Sequence, residues 1–167
     1  MSISYRSKLK MASAGFATLA LVGFIPGTLA AEAEYSGTFC MSSKVTVLES
    51  NPEVTILTTD GTGIATPDSG FQPWANASLR CVGYYRISAG KRTGKGSCRW
   101  IDASGDSFVG EFDEVPGEPG KWVFLAGTGK WKGIQGSGTY KTVARGKPAE
   151  QGTSQICNVH SGKYTLP

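Results

Sequence analysis

The chain has 167 residues, with 17 Lys and Arg against 13 Asp and Glu, one histidine and four cysteines. That length suits one domain with a core of its own. The formal charge of +4 does not describe a nucleic-acid binder, because Arg6, Lys8 and Lys10 are confined to the first ten residues and no basic patch follows them.

Those ten residues, MSISYRSKLK, contain no acid. The apolar run MASAGFATLALVGFI comes next, then Pro26, Gly27 and the small-residue stretch TLAAEA. A basic start, an apolar middle and a small-residue exit are the three parts of a secretory signal peptide. The run is shorter than the about 20 apolar residues that a spanning helix needs, so no membrane span is expected after cleavage. Residues 1–30 are read as the signal, cut after Ala30, and residues 31–167 as one domain, periplasmic or secreted. The style of the signal is bacterial. Cleavage leaves fourteen basic and thirteen acidic residues, a net charge of +1.

After residue 34 helical periodicity is scarce and glycine is spread evenly. Short β-branched and aromatic runs between turn signals predict eight strands. The first, 34–48, places Tyr35, Gly37, Phe39 and Met41 on one face. The second covers 54–66, and the loop PDSGFQPWA follows. The third, 77–88, alternates Leu79, Cys81, Gly83, Tyr85 and Ile87 against Arg80, Val82, Tyr84 and Arg86. AGKRTGKG reads as a solvated turn. The fourth strand is 96–102 and the fifth 107–113. The prolines of EVPGEPG bar that segment from a central strand. The sixth, seventh and eighth strands are 121–126, 136–144 and 153–160.

Eight antiparallel strands remove their edges by closing into an up-and-down barrel; a two-layer sandwich is the alternative. A barrel of this size is filled by side chains or holds one small ligand. Four cysteines in an exported chain imply two disulfides. Closure makes the first and last strands neighbours, which predicts Cys40–Cys157, and the hairpin of the third and fourth strands predicts Cys81–Cys98. Sequence alone leaves the other two pairings open. A zinc site is disfavoured, since there is no Cys-x-x-Cys and His160 is the only histidine. No metal or cofactor is expected.

The stretch GTGKWKGIQGSGTY, 127–140, is the most glycine-rich. Its spacing misses the dinucleotide fingerprint by one residue, and each Gly-Lys pair around it is followed by Trp instead of Ser or Thr. It reads as a strand–turn–strand corner, with Gly127 and Gly129 in the turn, Trp131 lying back over the barrel end, and Gly136 and Gly138 bending the next strand. LAGTGKWKGIQGSGTY resembles the glycine-rich hairpin of allene oxide cyclase and dirigent-like barrels, with Ala126 in place of that hairpin's first glycine. The resemblance extends upstream through DASGDSFVGEF and covers roughly residues 96–144. It implies an eight-stranded barrel with a largely apolar interior. Plant members of that superfamily cyclise an unstable fatty-acid epoxide or steer radical coupling. Its cyclases carry an acidic residue and an asparagine on early strands. The first strand here has no such pair, so no catalytic residue is carried over.

The remaining candidates have structural readings beside the chemical ones. His160 is expected to be a solvated residue at the frayed end of the last strand, beside Ser161 and Gly162. Glu111 and Asp113 are expected on the outer face of the fifth strand. Asn76-Ala77-Ser78 matches a glycosylation sequon and matters only in a eukaryote. Tyr85, Trp100, Phe108, Phe112, Trp122 and Phe124 are expected to face inward, as core or as the lining of an apolar pocket. The expected function is an exported barrel that binds an apolar small molecule or has no catalytic role. The competing readings are an isomerase or cyclase of a lipid-like substrate, and an envelope interaction module acting through its loops.

Overall fold

The structure, a computed structural model, describes residues 32–67 and 76–167. The signal-peptide reading of residues 1–30 and its cleavage site lie outside them, as do residues 68–75 of the loop PDSGFQPWA. Among the described residues the strands are β1 (Glu32–Ser50), β2 (Val54–Pro67), β3 (Ser78–Ser88), β4 (Lys91–Ile101), β5 (Ser107–Glu114), β6 (Gly120–Gly127), β7 (Gln135–Arg145) and β8 (Thr153–Thr165). Each pairs antiparallel with the next, and β8 pairs with β1, so the sheet closes into an up-and-down barrel.

Two boundaries differ from the sequence pattern by more than two residues. In AGKRTGKG only Ala89 and Gly90 turn, with φ of 50° and 72°. Two successive left-handed residues make the tight hairpin turn whose twist suits antiparallel strands, so β4 already begins at Lys91. β8 continues to Thr165 because β1 and β7 pair with it on both sides along that length. Ser161-Gly162 reads as a stop because glycine weakens a strand on its own. In the barrel, Gly162 is the bare place against which the Tyr35 phenol and Gly138 pack.

Both expected disulfides are present, as suits an oxidising compartment. They face opposite ways. Cys40–Cys157 ties the β1–β8 seam from the outside, where Cys40 is exposed. Cys81 and Cys98 are buried and face the interior.

One end of the barrel is plugged. Gly129, with φ of 52°, opens a single 3-10 turn, Gly129–Trp131, and the Trp131 ring lies 5.5 Å from that of Phe108 at 75°. This is the corner expected of the glycine-rich stretch. The Trp131 indole N–H donates to Asp102 Oδ2 at 2.8 Å, and Lys130 Nζ lies 2.8 Å from the same oxygen. Asp102 Oδ1 accepts from the Ser104 N–H at 2.8 Å and its hydroxyl at 2.6 Å, a local turn mimic of the kind Asp forms readily. Burial opposes ionisation of Asp102. The hydrogen bonds from Lys130, Ser104 and Trp131 outweigh it and hold the carboxyl well below the usual carboxylate range.

Candidate ligand cavity

The interior stays open because rings are paired with glycines. Tyr85 lies over Gly94, Phe112 over Gly96, Trp122 over Gly110 and Tyr140 over Gly120; a Cβ at any of these glycines would overlap the ring. These four rings therefore lie over wall backbone, with Phe112 meeting Tyr140 edge-on, while Trp100 reaches across the barrel to the rings of Phe39 and His160. Tyr85 and Phe112 stack side by side, 6.1 Å apart at 27°. A cavity of about 360 Å³ remains, a volume within the range of small-molecule sites.

Of the six aromatic residues expected to face inward, Tyr85, Trp100, Phe112 and Trp122 line this cavity. Phe108 and Phe124 are buried but do not line it. They lie toward the plugged ends of β5 and β6, where their rings meet 5.6 Å apart beneath Trp131. Alternation decides which face a side chain takes, whereas height along the strand decides between plug and cavity. Cys81 and Cys98 form part of the cavity wall. At the other end the lining reaches Arg145, Gly146 and Pro148, all exposed, so this end is the mouth.

His160 overturns the expectation of a solvated residue. It is 7% exposed, its ring stacks on Trp100 at 5.8 Å and 13°, and it meets the Phe39 ring edge-on at 5.3 Å. The cause is the extension of β8, which puts residue 160 in mid-strand on the inward parity. Asn158, two residues earlier, is also buried and lines the cavity; its Oδ1 accepts from the Thr142 hydroxyl at 2.7 Å. Continuing the alternation Ile156, Asn158, His160, Gly162, Tyr164 past the Ser-Gly pair would have found both.

Near the mouth a charged cluster spans β3, β4, β5 and β7. Tyr140 Oη donates to Glu114 Oε1 at 3.0 Å, Arg92 lies 3.2 Å from Glu114 Oε2, and the Arg92 guanidinium sits 4.1 Å above the Tyr85 ring. Burial, followed by the Glu114 charge, holds the Tyr140 phenol far above its ordinary range. Burial is also the largest cause of the raised pKa of Tyr85, where Glu114 adds to the rise and Arg92 opposes it. Glu114 opens EVPGEPG, the segment that its prolines bar from a central strand, yet it is the last residue of β5 and points inward. Glu111 is exposed, and Asp113 pairs with Lys95 at 3.5 Å on the outer wall, as expected. Among the described residues no group of three or more His, Cys, Asp or Glu is placed to hold a metal ion.

Together the fold and the cavity define a closed barrel with one plugged end, one open end and an aromatic-lined interior. No protein-family model and no curated protein matches the sequence. Solved structures match the fold. The pterocarpan synthase dirigent protein GePTS1 superposes with a TM-score of 0.52, covering 83% of this chain and 94% of that one, at 12% identity. The pterocarpan synthase dirigent protein PsPTS1 gives 0.50, 81% and 95%, at 11% identity. At such identities the likeness is one of fold: the chain is a dirigent-like barrel in architecture.

Proposed function

We propose that this chain is an exported protein, periplasmic or secreted, that binds an apolar small molecule inside its barrel. The observation that carries the reading is the 360 Å³ cavity whose rings are seated on glycines. A sequence selected only to fill its core would place side chains at those positions, since glycine in a strand costs stability. The signal-like N-terminus and the two disulfides support export. The likeness to pterocarpan synthase dirigent proteins is consistent with a barrel that takes small molecules.

The test is twofold. Protein isolated from its native source is expected to carry an added mass in a native mass spectrum, and solvent extraction is expected to remove it. The extracted protein is expected to bind the neutral dye N-phenyl-1-naphthylamine saturably, one per chain. Absence of both would overturn the reading and leave a protein acting through its outer loops.

A second reading, an isomerase or cyclase of a lipid-like substrate, is favoured by Glu114, Tyr140, Arg92 and Asn158, which present charged and polar groups to the same cavity. Confinement and fixed dipoles would supply its catalysis. Chemical conversion of the extracted compound on return to the protein would support it.

A further inference from the structure

The cavity lining carries polar side chains on one side, and we infer that its ligand matches them: an apolar body with neutral hydrogen-bonding oxygens on one face. This rests on the binding role proposed above. Below the mouth, the arc from β3 to β6 presents only rings and the Cys81–Cys98 disulfide, with Tyr85, Trp100, Phe112 and Trp122 as its surface.

The opposite arc is different. β8 turns Ser154, Ile156, Asn158 and His160 inward, and all but Ile156 are polar; Ser43 on β1 is the direct cross-strand partner of Ser154, while Met41 and Phe39 on β1 line the cavity beside Ile156 and Asn158. All four polar residues line the cavity. Alternate residues of a strand stand about 7 Å apart. The polar positions therefore span the depth of the site, interrupted at Ile156, from His160 against Trp100 to Ser43 and Ser154 nearer the mouth.

The chemistry of the strip narrows the ligand. Asn158 is 3% exposed, and Thr142 occupies its side-chain oxygen. Its remaining capacity is the two amide N–H donors and the second lone pair of the oxygen, and a carbonyl, ether or hydroxyl oxygen of a ligand satisfies the donors. Ser43 and Ser154 donate or accept. The charged side chains Arg92, Glu114 and Arg145 stand on other strands, near the mouth, so the strip calls for neutral oxygens and not for a carboxylate. A linear chain with one polar end meets the strip at a single height. A flat, oxygenated ring system meets it at several, with its other face on the rings.

The test uses two epimers of one trans-decalin diol, one with both hydroxyls on the same face and one with a hydroxyl on each face. They compete against N-phenyl-1-naphthylamine in the disulfide-intact chain. The two share volume and composition and differ only in where the oxygens point. The same-face epimer is expected to displace the dye at about tenfold lower concentration, the effect of one satisfied against one unsatisfied buried polar group. Asn158→Leu is expected to bring the ratio of the epimers toward one. If that variant fails to fold, Ser43→Ala reads the same ratio. Equal displacement by both epimers in the parent protein, or a ratio unmoved by Asn158→Leu and Ser43→Ala, overturns the inference while the binding reading stands. Absence of saturable dye binding overturns both.

Discussion

The ring of Tyr85 occupies the place that a side chain on its cross-strand partner Gly94 would take. The pair converts a weak position in a strand into a seat for an aromatic ring, and the same device recurs with Phe112 and Gly96. It lets large apolar side chains bury one side against backbone without closing the cavity.

Gly94→Ala is therefore expected to act on both stability and volume. The added methyl displaces the Tyr85 ring toward the cavity, an overpacking cost of about 1–3 kcal/mol. Thermal denaturation reads the first effect, and the amount of N-phenyl-1-naphthylamine bound at saturation reads the second. Unchanged dye capacity together with unchanged stability would show that the ring does not depend on its seat.

The two disulfides are expected to differ in weight. Cys40–Cys157 closes a separation of 117 residues and Cys81–Cys98 one of 17. Chain-entropy reasoning assigns about 4.7 kcal/mol to a loop of about 100 residues and about 3 kcal/mol to one of about 15. Replacing both cysteines of the seam by serine should lower the urea midpoint more than the same change in the hairpin. The reverse order would mean that the barrel closes without help from its seam.

Acid is expected to release the plug. The folded-state pKa of Asp102 is depressed, so its contribution is complete above the unfolded value of about 3.9 and is lost as pH falls from there toward the folded value. Asp102→Asn should remove that dependence and flatten the acid limb of stability against pH. Trp131 fluorescence through the transition should report detachment of the indole. An acid limb identical in the variant would assign acid sensitivity to other carboxylates.

Glu114→Gln is expected to make the Tyr140 phenol ionise at lower pH, because one of the charges that raises its pKa is gone. Burial, the larger cause, remains, so Tyr140 should still titrate above an exposed tyrosine. Phenolate absorbance in an alkaline titration measures this, with Tyr140→Phe identifying the signal. An unmoved titration would place Glu114 out of reach of the phenol.

The residues carry the strand count and the inward faces of β1 and β3, because these follow from period-two alternation; paired sheet edges favour closure over a sandwich, and closure favours the two disulfide pairings that the structure shows. They also announce the corner at Gly129 and Trp131. The contents of the interior were less legible. Glu114 and His160 sit beside turn-forming residues and look solvated when read locally. Only the neighbours β1 and β7 carry β8 past Ser161, and only the length of β5 turns Glu114 inward. Phe108 and Phe112 share a face and a chemistry, yet one plugs the barrel and the other lines the cavity, since height along the axis depends on the stagger of all eight strands. The glycines are the clearest case. The chain shows how many there are and that strands tolerate them poorly, but which ring each receives is a relation between strands, and it exists only once the sheet has closed.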